Sequence, residues 1–92
     1  MATTVRQTSD DDPLQFDVQV RDGGSETQHR VTLARATYEK LAAGRSPVAF
    51  VEAAFEFLLA REPKESILRA FDVAVISRYF PEFEREIRRS PI

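Results

Sequence analysis

Ninety-two residues with a formal net charge of −2 and 30% charged side chains describe one small folded domain with a core of modest size. The lack of cysteine excludes disulfides, thiolate catalysis and cysteine-based metal sites. Charge of one sign is not segregated either. Residues 1–46 carry six basic and seven acidic side chains and residues 47–92 carry seven and eight, so neither half is a cationic module of the kind nucleic acid attracts.

Residues 1–12 are polar and end in Asp10-Asp11-Asp12-Pro13, which reads as a flexible leader before a single globular domain over 13–90. The N-terminal residues lack the apolar core of a secretory signal, and the default expectation is a cytoplasmic protein.

Residues 14–21 alternate strictly between apolar and polar, as a half-buried strand does. Gly23-Gly24 supplies a tight turn, and residues 26–33 alternate again. A turn centred on the two glycines sets Arg21 against Glu26 and Asp17 against Arg30 on one face. On the other it sets Phe16 against Val31 and Leu14 against Leu33, as a hairpin with one buried face requires. His29, opposite Val18, reads as a half-buried structural residue.

Residues 35–43 read as a short helix stopped by Gly44. Ser46 and Pro47 look like the N-cap and first turn of a longer helix, about 47–61, that Pro63 ends. Its apolar arc spans Val48, Val51, Phe55, Leu58 and Leu59, widened by Phe50, Ala54 and Phe57, so it must be covered on several sides. Glu52 and Glu56 are left for water. Residues 64–71 place Ile67, Leu68 and Phe71 at helical spacing, Asp72 can cap a further turn or two, and 81–89 makes a last helix with glutamates early and arginines late. The expected fold is therefore α+β: an N-terminal hairpin packed on a bundle of four to five short helices around the 47–61 helix.

Chemistry is scarce. No recognisable triad accompanies His29, no His/Asp/Glu set has metal-ligand spacing, and Gly23-Gly24 lacks the following helix that a phosphate loop needs. Glu52 and Glu56 share a helix face, but a mostly apolar helix needs charge there to meet water. The expectation is a protein with no catalytic, cofactor or metal residues.

Two resemblances are carried by local strings. His29-Arg30-Val31-Thr32-Leu33, then a helix, then Gly44-Arg45-Ser46 and a long helix, resembles the ribbon-helix-helix transcriptional regulators. That likeness implies a strand shared between two chains, with Arg30 and Thr32 reading DNA and Ser46 at a phosphate. The sequence departs from the pattern in having a shorter first helix and a preceding strand able to occupy the ribbon's edge. Arg61-Glu62-Pro63-Lys64-Glu65-Ser66-Ile67-Leu68, with Phe71-Asp72 and Arg78-Tyr79-Phe80-Pro81-Glu82-Phe83-Glu84, resembles a small family of uncharacterised bacterial proteins. It brings no activity to carry over.

The favoured reading is a small non-enzymatic protein-interaction or regulatory module that binds a partner protein or itself. Seven Phe and two Tyr are more aromatic surface than a chain this small hides easily, and Tyr79, Phe80 and Phe83, set among charges, are the expected anchors. The alternative is a DNA-binding regulator using Arg30, Thr32 and Ser46.

Overall fold

The computed structural model describes residues 1–89; the expected domain end at residue 90 lies outside the described residues. Its frame is a four-stranded sheet in the order β1-β2-β3-β4, made of β1 (Ala2–Ser9), β2 (Leu14–Asp22), β3 (Ser25–Leu33) and β4 (Ala70–Asp72). The helices are α1 (Arg35–Leu41), α2 (Pro47–Leu59), α3 (Ala74–Tyr79) and α4 (Phe83–Arg89), with a 3-10 turn at Lys64–Ser66.

The β2–β3 hairpin has the register expected from its alternation, with Phe16 opposite Val31, Asp17 opposite Arg30 and Arg21 opposite Glu26. Gly23, at φ +65°, supplies the left-handed residue of the turn. The hairpin is only half of the sheet. Residues 2–9, expected within a flexible leader, form β1 and pair antiparallel with β2, Val5 lying opposite Val18. A cis Asp12–Pro13 bond lies in the link between them. Residues 70–72, expected in a helix, form β4 and run parallel to β3, held by Arg30 N–H to the Arg69 carbonyl and Val73 N–H to the Thr32 carbonyl.

The hairpin-on-helical-bundle arrangement is thus corrected to a sheet with helices packed against one face. The physical reason is that four strands offer a broad inner face. Leu14, Phe16, Val18, Val20, Val31 and Leu33 are all buried there, joined in one core with Phe50, Val51, Phe55, Leu58, Ile76, Phe83 and Ile87 from the helices. The other face stays polar, with Arg6, Asp17 and Arg30 side by side across three strands.

The helix boundaries follow from local chemistry. Ser46 caps α2 by accepting the Ala49 N–H at 3.2 Å, and Pro47 occupies the first turn. α1 ends where Ala43 and Gly44 turn to φ +52° and +87°. Asp72 Oδ1 accepts the Ala74 N–H at 2.9 Å and so starts α3. Among the described residues no helix is long and apolar enough to cross a membrane.

Candidate interaction surfaces

His29 joins the core to the outside. Its ring is buried against Phe55, with centroids 5.4 Å apart. Nδ1 lies 2.7 Å from the Leu68 carbonyl oxygen, which can only accept, so Nδ1 carries the proton and Nε2 faces the Thr27 hydroxyl at 2.9 Å. Both ring nitrogens are used inside the fold. The bond pins the backbone of Leu68, whose side chain points outward and is 48% exposed.

Around that side chain lies an apolar pocket of about 370 Å³ whose lining includes Leu58, Ile67, Leu68, Phe71, Val75 and Tyr79. It forms where β4 meets α3. Tyr79, at the end of α3, is 68% exposed on its border. Among the described residues the large apolar side chains left exposed are Met1, Leu68 and Tyr79, and two of the three share this pocket.

The three aromatic anchors expected from the sequence separate. Tyr79 is at the surface. Phe80 also borders the pocket but is half-buried and meets Phe57 edge-on at 5.8 Å. Phe83 is fully buried, 5.0 Å from Phe57, and is not an anchor. Phe80 leaves the helical region at φ −133°, ψ 87°, and after the Pro81 turn the first residue of α4 drops into the core. Arg61 closes the far side of Phe57, its guanidinium 3.6 Å from the ring centroid and bonded to Glu82 at 3.3 Å. Leu68 is the residue sequence reasoning missed. Its helical spacing with Phe71 marked it as inward, whereas the chain leaves the 3-10 turn at Ile67 and is not helical at 67–69, with Ile67 buried and Leu68 exposed.

The residues of the DNA-binding reading are not brought together. β3 is paired with β2 along one edge and, at Arg30–Thr32, with β4 on the other, so the part of the ribbon that would meet a twin strand is occupied there. Arg30 and Thr32 lie on the polar face, where Arg30 is 3.7 Å from Asp17 and the Thr32 hydroxyl donates to Asp72 at 2.7 Å. Ser46 belongs to α2, whose apolar side covers the opposite face of the sheet, and its hydroxyl serves as the helix cap.

A second concavity lies over the polar side of α2. Its lining includes Met1, Thr3, Ala49, Glu52, Ala53 and Glu56, in an open groove of roughly 1070 Å³. Two buried cations missed in the sequence are structural. Arg45 donates to the Ile87 carbonyl at 2.9 Å, placing charge at the C-terminal end of α4, and Lys64 meets Glu65 at 2.6 Å. Among the described residues no cluster of three or more His, Cys, Asp or Glu could hold a metal ion. No protein-family model, curated protein or solved structure matches the chain, and the reading of both surfaces rests on their own residues.

Proposed function

We propose that this chain is a non-enzymatic, cytoplasmic protein-interaction module that takes an apolar side chain of a partner protein in the pocket between β4 and α3. The observation that carries the reading is the pairing of Leu68 and Tyr79, exposed side by side on an apolar pocket while the other phenylalanines and leucines are wholly or partly covered. Leu68 is held at its backbone by His29, so little conformational freedom remains for a partner to quench at that point. A tyrosine beside it offers wide contact area with a polar tip, the composition of an interface centre.

The DNA-binding alternative is less well supported, because Arg30–Thr32 of β3 already pair with β4 and Arg30 faces a carboxylate. The two readings separate in one experiment. Tagged wild-type chain and a Leu68→Ser, Tyr79→Ser double variant are used as bait in the source cells, with mass spectrometry and nucleic-acid detection on each eluate. The interaction reading expects a protein retained by the wild type and lost from the double variant. Nucleic acid retained equally by both would overturn it.

A further inference from the structure

A different part of the molecule carries its own inference: the outer edge of β1. β1 is eight residues long, ends the sheet, and among the described residues pairs only with β2. Its free side presents a row of backbone N–H and C=O groups. Natural edges of this length are commonly blunted by proline, lysine or an inward-pointing charge. Ala2-Thr3-Thr4-Val5-Arg6-Gln7-Thr8-Ser9 has none of these, since Arg6 points to the polar face and pairs with Asp17 at 3.1 Å, and the register shift between Gln7 and Ser9 leaves Ala2–Gln7 as its regular stretch. β1 is well formed for receiving another strand.

The groove beside it says what kind of strand. Side chains of an added strand would alternate between the polar face and the inner side, where α2 runs against β1. The floor there is low, because Ala49 and Ala53 line it, and the exposed carboxylates of Glu52 and Glu56 beside it make no hydrogen bond or ion pair among the described residues. Arg45, Arg61 and Glu86 line the same groove: Arg61 is paired with Glu82 and Glu86 with Arg89, while Arg45 is buried and donates to the Ile87 carbonyl. Set against the single charge of Arg45, the two free carboxylates leave these lining side chains with a net negative charge. A second copy of the chain added at this edge would bring its own Glu52 and Glu56 to the same cleft, placing like charges together.

We propose that the β1 edge binds an extended basic segment of another protein by strand addition, its alternate lysine or arginine side chains lying in the groove against Glu52 and Glu56. Main-chain hydrogen bonds to β1 supply register and the carboxylates select charge. The surface is separate from the Tyr79 pocket and goes beyond that reading.

The test uses the whole chain and a peptide of alternating lysine and threonine, followed by fluorescence polarisation and by amide shifts. Binding should weaken with salt, and the shifts should gather on β1 and on residues 49–56. Glu52→Gln with Glu56→Gln should weaken binding about 3- to 10-fold, as two partly exposed ion pairs would. A peptide N-methylated at alternate residues, equal in charge but unable to complete the ladder, should bind at least about tenfold more weakly. Leu68→Ser with Tyr79→Ser should leave this affinity unchanged, so the two surfaces fail or stand separately. Equal affinity for a glutamate-threonine peptide, equal affinity of the N-methylated peptide, or no binding at low salt would each overturn the proposal. So would sedimentation showing a dimer through β1 that the peptide does not dissociate.

Discussion

Replacing His29 tests how the exposed Leu68 is held. The imidazole makes two bonds within the fold and packs on Phe55. His29→Phe keeps a ring of similar size but strands the Leu68 carbonyl and the Thr27 hydroxyl. A typical hydrogen bond contributes about 0.5–1.5 kcal/mol, and a buried group left unpaired costs about 1–3 kcal/mol. Because both bonds are only part-buried, water recovers some of this, and a loss of about 1–2 kcal/mol is expected for His29→Phe. His29→Ala also removes the packing, raising the loss to about 3 kcal/mol. His29→Asn places an amide N–H near the Nδ1 position and should recover part of the difference between Ala and wild type. Urea unfolding followed by circular dichroism gives the three values, and hydrogen exchange at residues 67–70 localises them. If His29→Phe matched wild type within about 0.5 kcal/mol, within the ordinary scatter of neutral substitutions, the bond to Leu68 would not be what holds that segment.

The remaining predictions concern the frame. Gly44 sits at φ +87° with open space around it, so Gly44→Ala should lower stability by about 1–2 kcal/mol through backbone strain alone. Ala43 already bears that strain at φ +52°, and Ala43→Gly should raise the melting temperature. The Glu26 carboxylate accepts from Gln19 at 2.8 Å and from Gln28 at 3.3 Å and lies near Arg21, which together hold its pKa below the ordinary value. The folded chain then binds this proton less readily than the unfolded chain. Its stabilising contribution is present above the ordinary glutamate value of about 4.3 and is lost as pH falls through the lower folded value. Acid titrations should accordingly show wild type losing stability in that window more steeply than Glu26→Gln, and parallel curves would contradict the assignment.

The parts legible in the sequence were those where periodicity and burial agree. The β2–β3 register was readable because every inward position from Leu14 to Val20 is apolar and the charges opposite one another are complementary. α2 was readable from its cap and its wide apolar arc. β1 was not, because its inward positions are Thr3, Val5 and Gln7, half-buried and mostly polar, as an edge strand permits. β4 was hidden for another reason. Three residues pair only with a strand some forty positions earlier, and the local spacing of Ile67, Leu68 and Phe71 fits a helix equally well. That one mistaken period put Leu68 in the core and left the pocket half described. Tyr79 could be placed at the surface beside charged neighbours, whereas Phe83 carried the same local signal and is core, since only the chain turn at Pro81 decides which way each points.

Photo-crosslinking in cells shows whether Leu68 and Tyr79 dock a partner protein. A photoreactive amino acid is placed at position 79, at position 68, or, as a control, at Gln19 on the polar face of the sheet. A docking surface at this pocket gives an adduct of one discrete mass from positions 79 and 68, and none from 19. Adducts from all three positions alike, or none from 79 and 68, would contradict it.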